Sequence, residues 1–302
     1  GSVISLSFGA NMAIQSIDNL IASISAGKTT RYDWNKVSTV AATLGGSFDM
    51  SGQAALPVAN AWAGTALNWR GCDETTGNGT QIFGMPHGGN VSPDIKHLLN
   101  MNAWGTAATA VPGTLTLVDM QGYYPGLTNN VATAQTLVGT PTLRYTNGEG
   151  VRAYMVQTAT GGAGAQNFNM SYTNQAGTAG RTMPATVACT ASSVVSRINH
   201  SGAAANNYGP FLPLASGDTG IRSIQTVTLS AATTGTFAMV LARPLASITL
   251  SVAGLMTEKD LLNQIPSLPV IKDGACLVWI WNAGAVTATA TTLAGGIECV
   301  WG

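Results

Sequence analysis

Charged side chains are scarce in this chain: Asp, Glu, Lys and Arg make up 9% of the 302 residues, while Gly, Ala and Thr fill successive alternating segments. Few ion pairs are available, so a stable fold must come from strand pairing and apolar burial. Thirteen basic and thirteen acidic residues cancel, which removes the long-range attraction that nucleic acid or anionic lipid usually requires. We therefore predict an architectural protein that contacts neither nucleic acid nor membrane directly.

Short segments with two-residue alternation, separated by Gly, Pro and Asn, dominate the chain after Val37. They predict a mainly β fold with two β-sandwich or jelly-roll-like domains, an N-terminal amphipathic helix and one or two short helices. The Gly-rich stretch TATGGAGAQ is the most linker-like segment. The predicted organisation is an arm and helix at 1–36, a first β domain at 37–157, a linker at 158–166 and a second β-sandwich domain at 167–302.

Helical spacing is clearest near the N-terminus, and Gly27 follows where a helix would end. Short helices are also predicted at 92–101, with Ser92 as N-cap, and after Thr257. Asn147-Gly148 predicts a tight hairpin between TLRYT and VRAYMV. The longest apolar run is too short to cross a bilayer, and the first residues do not resemble a signal peptide. The apolar residues at helical spacing are Ile14, Ile17, Leu20, Ile21 and Ile24.

Residue types that support catalysis are present but match no established spacing. His87 and His97 with Asp94 do not follow a zinc pattern, and Ser201 beside His200 would face the opposite side of a strand. The pair Asp73-Glu74 is adjacent in sequence, whereas glycosidases hold two carboxylates across a cleft. We expect a non-enzymatic protein with no catalytic residues, no cofactor and no bound metal.

Two further sets of residues leave alternatives open. Four scattered cysteines predict separate buried thiols, with a bridge between Cys276 and Cys299 left undecided. An adhesin that stacks sugars on exposed rings is a competing interpretation. Its candidate rings are Trp62, Trp69 and Trp104.

Three segments, Tyr208–Leu245, Ser171–Arg181 and the opening MAIQSIDNLIAS, resemble tailed-bacteriophage virion structural proteins of the capsid decoration or cement type. The resemblance covers about half of the chain, mostly residues 167–252, and rests on the general pattern of residues rather than on a diagnostic motif. It implies a subunit that binds over the phage head. A major capsid protein is the closest alternative, although the chain has no obvious place for a long charged spine helix. The other alternative is a tail or receptor-binding carbohydrate adhesin.

The resemblance also implies partners and a location. The expected partners are copies of the same chain, with a trimer as one candidate, and the lattice of the major capsid protein. The expected location is the capsid surface of the virion, after synthesis in the host bacterial cytoplasm. The residues predicted to contact a partner are Ile17, Leu20, Tyr32 and Trp34.

Overall fold

Antiparallel strand pairing forms almost all of the regular structure, which confirms the predicted mainly β fold. The computed structural model describes residues 13–106, 112–202, 209–262, 268–286 and 289–302. Within them, one α-helix, α1 (Ile17–Ser25), lies near the N-terminus, and the strands form three sheets. The first eleven residues of the predicted arm, and Met12, lie outside the described part.

Both ends of the described chain contribute strands to one sheet, here called the terminal sheet. The strand nearest each end of the chain pairs with the other in a continuous register, from Thr29 opposite Val300 to Val37 opposite Thr292. In spatial order the strands are β14 (Thr257–Asp260), β5 (Lys96–Gly105), β17 (Thr292–Trp301), β1 (Thr29–Val37) and β3 (Ala54–Leu56), and β15 (Val270–Ile271) also pairs with β5.

A second sheet, the central sheet, is built around the two longest strands. Their length allows one sheet to support two separate cores, because different parts of each strand contribute to different apolar clusters. In spatial order the strands are β2 (Ser47–Asp49), β16 (Leu277–Ala283), β6 (Gly113–Thr128), β13 (Thr236–Leu250) and β8 (Arg152–Ala159), and β4 (Arg70–Gly71) also pairs with β6.

The third sheet, the distal sheet, covers the other part of the central sheet. Phe168 and Met170 of the distal sheet share a buried cluster with Met155 and Met239 of the central sheet. The strands in spatial order are β10 (Arg181–Thr182), β9 (Gln166–Asn174), β12 (Ile221–Leu229) and β7 (Gln135–Thr136), and β11 (Val187–Cys189) also pairs with β9.

Side chains alternate along the strands of the central sheet, and the two faces of the sheet therefore contribute to different apolar clusters. Leu277, Trp279 and Trp281 of β16 pack in a cluster with the terminal sheet, whereas Val278 and Ile280 pack in a third cluster on the opposite face. Successive strand residues point to opposite faces, so this division follows from the pleat. Loop residues such as Phe83 and Ile198 contribute to the cluster on that opposite face.

Three local predictions were wrong. Residues 96–101 of the predicted helix lie in β5, where they pair with β17 and β15. Residues 257–260 form β14 rather than a helix. Asn147 and Gly148 do adopt the positive φ of a tight turn, but within a short 3₁₀ turn, and the segment before them is not a strand. In each case partners distant in sequence overrode the local preference.

The sheets do not follow the predicted domain boundaries. Residues 29–36, the last part of the predicted arm, belong to β1, which lies in the interior of the terminal sheet. In the central sheet, β8 precedes the predicted linker at 158–166 and pairs with β13, which follows it. The predicted arm and domains therefore share sheets with one another, and their folding as independent units stays a prediction.

Candidate interaction surfaces

The helix α1 begins and ends at recognisable caps. The Ser16 Oγ accepts a hydrogen bond from Asn19 N at 3.1 Å, which satisfies one of the free amides of the first turn. The chain leaves the helix through Gly27, whose φ of 71° is costly for other residues. Beyond it, Lys28 Nζ lies 2.7 Å from Asp94 Oδ2, which ties the start of β1 to the neighbouring loop.

Only part of the apolar surface of α1 is buried. Leu20 is 5% exposed, whereas Ile17, Ile21 and Ile24 are 59%, 56% and 46% exposed. These three isoleucines recur at intervals of four and three residues, so they lie on one side of the helix. We call them the isoleucine stripe. Exposed apolar side chains grouped in this way mark contact sites more often than isolated ones do.

A second apolar surface lies at the opposite end of the terminal sheet. Its strands β1 and β5 end there, and four connections pass from that edge to the central sheet. Hydrogen bonds hold these connections together, including Gly254 N to Gly105 O at 2.8 Å and Gly45 N to Ala283 O at 2.9 Å. We call this region the loop end. The described residues of these four connections are 38–46, 106, 112, 251–256, 284–286 and 289–291.

None of the four loop-end segments contains Asp, Glu, Lys or Arg. Several large apolar side chains there are nevertheless between 54% and 68% exposed. Connections at a protein surface are usually polar, so a charge-free and partly apolar group of loops is suited to contact with another apolar surface. These side chains are Leu44, Val252, Leu255, Met256 and Val286.

The four predicted contact residues do not form one surface. Ile17 is exposed, but Leu20 is buried, and Trp34 is 3% exposed and packs within the core between the terminal and central sheets. The Trp34 ring lies 5.2 Å from that of Trp279. Tyr32 is half-buried against the same core. Their contact with a partner stays a prediction, and on exposure Ile17 is the best placed of the four.

The candidate acid and base residues serve the protein's own structure. Glu74 Oε1 accepts hydrogen bonds from the backbone amides of His87, at 2.7 Å, and Gly89, at 3.1 Å. His87 Nδ1 accepts from Lys96 Nζ at 2.9 Å, and burial lowers the pKa of His87. Asp73 caps its own turn through the amides of Thr75 and Thr76. This network fastens the loop after β4 to the terminal sheet.

His200 lies in a separate buried place. Its Nε2 donates to Pro210 O at 2.7 Å, and its ring is 6.2 Å from that of Phe168. Burial lowers the pKa of His200 from 6.5 to about 4. Its neighbour Ser201 donates from Oγ to Ile198 O at 2.6 Å. Ser201 Oγ also accepts from the backbone amide of Ser47 at 2.8 Å, so both side chains make their hydrogen bonds to backbone groups.

Acid should destabilise the protein through His200. The unfolded chain binds the proton below pH 6.5 and the folded chain only below about pH 4. The stability contributed by the neutral ring is therefore complete above pH 6.5 and is lost as the pH falls toward 4. We expect a loss of about 2 kcal/mol from this group between pH 7.5 and 5, measurable by urea denaturation at each pH.

His200→Gln keeps a hydrogen-bond donor but cannot titrate, so its stability should depend less on pH in this range. The comparison is needed because burial raises the pKa of Asp49, which acts in the opposite direction. An equally steep pH dependence in both proteins would contradict the assignment to His200.

The three tryptophans of the adhesin interpretation lie apart. Trp62 packs edge-on against Tyr123, with ring centroids 5.1 Å apart, in the cluster that includes loop residues. Trp69 packs against Tyr124 at the same distance, beside the distal-sheet core. Trp104 is half-buried in β5 of the terminal sheet. The rings therefore do not make a common stacking platform.

A cleft of about 520 Å³ lies between the 145–149 turn, β13 and β15. The Arg243 guanidinium lies 4.4 Å from the centre of the Tyr145 ring and donates to Glu149 O at 3.0 Å. Thr146, Lys272 and apolar residues complete the lining. Glu149 also borders the cleft, so its carboxylate offsets one of the two cations.

The described residues hold no group of three or more His, Cys, Asp or Glu side chains arranged to bind a metal ion. Among these residues there is also no helix that is both long and apolar enough to span a membrane.

Comparison with known proteins adds little to this geometry. No family model and no curated protein matches the chain. Among solved structures, the VP2 subviral particle of infectious bursal disease virus is 10% identical over 90% of this chain and 80% of that chain, with a TM-score of 0.19. The structure of T=1 particles derived from infectious bursal virus is 9% identical over 90% of this chain and 77% of that chain, with a TM-score of 0.20. Both concern virus particles, but TM-scores this low carry no argument.

Sequence reasoning missed the loop end as a surface. Its four segments are far apart in the sequence and come together only through the order of the strands. The signal that could have pointed to it is the absence of charge in all four segments, together with Leu and Met in two of them.

Proposed function

We propose that this chain is a non-enzymatic structural protein of a virion, and that it binds the capsid lattice as a decoration or cement subunit. The observation that carries the proposal is the pair of exposed, charge-poor apolar surfaces, the isoleucine stripe and the loop end, at opposite ends of the terminal sheet. A subunit with two such surfaces can contact a lattice with one and a neighbouring copy with the other.

The chemistry of both surfaces supports this role. Contacts between apolar surfaces are weakened little by salt, which suits permanent assembly better than reversible docking. The formal net charge of zero adds little repulsion between crowded copies. A body of paired antiparallel strands is also rigid enough to hold both surfaces in a fixed relation. The titratable residues of interest are engaged in internal hydrogen bonds, which leaves the role of a building block as the better explanation.

The isoleucine stripe provides the test. In a variant with Ile17→Ser, Ile21→Ser and Ile24→Ser, we expect at least a tenfold loss of binding to capsids that lack the protein, because three exposed apolar contacts are removed. Binding is measured by co-sedimentation of purified protein with capsids. Unfolding midpoints should remain within a few degrees of wild type, since the replaced side chains are largely exposed.

Ile82→Ser is the matched control, because Ile82 is 49% exposed and lies in the connection between β4 and β5, which belongs to neither surface. It should bind as wild type does. Detection of the chain in purified particles by mass spectrometry tests the virion location independently. Its absence from particles would overturn the proposed function, whereas its presence with unchanged binding of the triple variant would overturn only the role of the stripe.

A further inference from the structure

Two cysteines that are 204 positions apart in sequence meet on one edge of β6. β13 pairs along the whole of the opposite edge, from Thr128 to Gly113, so β4 and β16 must both pair with the remaining edge. Cys72 N donates to Gln121 O at 3.0 Å, and Cys276 O accepts from Met120 N at 2.8 Å. Because Met120 and Gln121 are consecutive, the end of β4 meets the start of β16 at these two cysteines.

The side chains of Cys72 and Cys276 lie in the same apolar cluster. Both belong to the cluster on the face of the central sheet that loop residues cover, at 3% and 0% exposure. The neighbouring Cys72 thiol, together with burial, raises the pKa of Cys276. Gly84 leaves the room they occupy, since a Cβ there would lie 2.8 Å from Cys276 Sγ. The other cysteines are elsewhere: Cys189 lies in the distal-sheet core and Cys299 in the terminal-sheet core.

We propose that Cys72 and Cys276 are a cross-linking site that closes to a disulfide when the protein meets a peroxide. The inference concerns the chain itself and is independent of the proposed function. It also resolves the alternative left open by the sequence, because the neighbour of Cys276 is Cys72 and not Cys299. All four thiols are free in the structure.

The chemistry proceeds in two steps. Cys72 borders a cleft of about 360 Å³ that also includes Gly71 and Arg144, so its thiolate is the one that meets hydrogen peroxide. Attack on one peroxide oxygen breaks the O–O bond and gives a sulfenic acid and hydroxide, which takes up the thiol proton to form water. The Cys276 sulfur then displaces the hydroxyl of the sulfenic acid and loses its proton, forming the S–S bond and a second water. Two thiols are oxidised and one peroxide is reduced.

The bridge would join β4 to β16 and close a loop of about 200 residues. A cross-link over so long a loop restricts the unfolded chain strongly, so the oxidised protein should melt about 5 °C or more above the reduced one. Addition of dithiothreitol should reverse the shift. The effect requires both cysteines, because neither of the remaining two lies in the same cluster.

The experiment treats the full chain with hydrogen peroxide, then denatures it, alkylates the free thiols and measures intact mass. We expect two alkylated cysteines instead of four, and a non-reduced digest in which peptides containing Cys72 and Cys276 are linked. Cys189→Ser should retain the link and the melting shift. Cys72→Ser and Cys276→Ser should lose both.

Burial could slow the reaction, so the treatment is repeated in urea below the unfolding transition, where local opening admits the oxidant. Four alkylated cysteines under both conditions would overturn the proposal. A link that includes Cys189 or Cys299 would also overturn it, as would a melting shift that persists in Cys72→Ser.

Discussion

Trp281→Ala should lower the free energy of unfolding by about 3–5 kcal/mol, among the largest effects available to a single substitution in this chain. Trp281 is fully buried in β16, within the core between the terminal and central sheets, and its ring lies 5.8 Å from that of Phe48. Truncation removes a large apolar surface and leaves a cavity that rigid strands on both sides cannot fill. Urea denaturation followed by circular dichroism provides the measurement.

Trp281→Phe is the matched variant. The Trp281 Nε1 has no hydrogen-bond partner in its buried position, so loss of the indole N–H should cost little beyond the smaller ring. We expect the decrease in the free energy of unfolding to be less than half as large for Trp281→Phe as for Trp281→Ala. If phenylalanine and alanine were equally destabilising, a missing polar contact rather than packing would account for the effect.

Arg144→Met should cost a similar amount, about 3–5 kcal/mol, because it leaves the Asp119 carboxylate buried without its counterion. Asp119 is fully buried in β6, and Arg144 reaches it with Nη2 at 2.5 Å and Nε at 3.1 Å. The same guanidinium donates to Cys72 O and Met120 O, each at 2.6 Å. One side chain thus holds the loop that carries Arg144 against β4 and β6.

A double-mutant cycle with Asp119→Leu separates the charge from the packing. Removing both partners should restore part of the stability that Arg144→Met loses, since no buried charge is left unpaired. Recovery should be incomplete, because Asp119 Oδ1 also accepts from Cys276 N at 3.0 Å. Strictly additive effects would show that the ion pair contributes no coupling and would contradict this account.

The two surfaces proposed for assembly depend on the same framework. The central strands β6 and β13 are long enough to carry the terminal sheet on one part and the distal sheet on the other. Buried apolar clusters join the central sheet to the terminal sheet and to the distal sheet, so the sheets cannot move as separate bodies without exposing those clusters. The isoleucine stripe and the loop end therefore keep their separation along the terminal sheet.

Features that depend on residues close together in the chain could be predicted from the sequence. Two-residue alternation predicted the mainly β class, and apolar spacing followed by Gly27 located α1. Each signal comes from residues within a single strand or a single helix. Scarcity of charge indicated a fold based on apolar burial. The turn at Asn147-Gly148 was located correctly, since it needs only local backbone freedom.

The neighbours of each strand, by contrast, depend on contacts between distant parts of the chain. Residues 96–101 are extended because β17, from the other end of the chain, pairs with them, and Trp34 is buried because the central sheet covers its face. The loop end and the pairing of Cys72 with Cys276 arise in the same way. Contacts between residues 100 or more positions apart depend on sheet order, and the local pattern of a single sequence carries no record of that order.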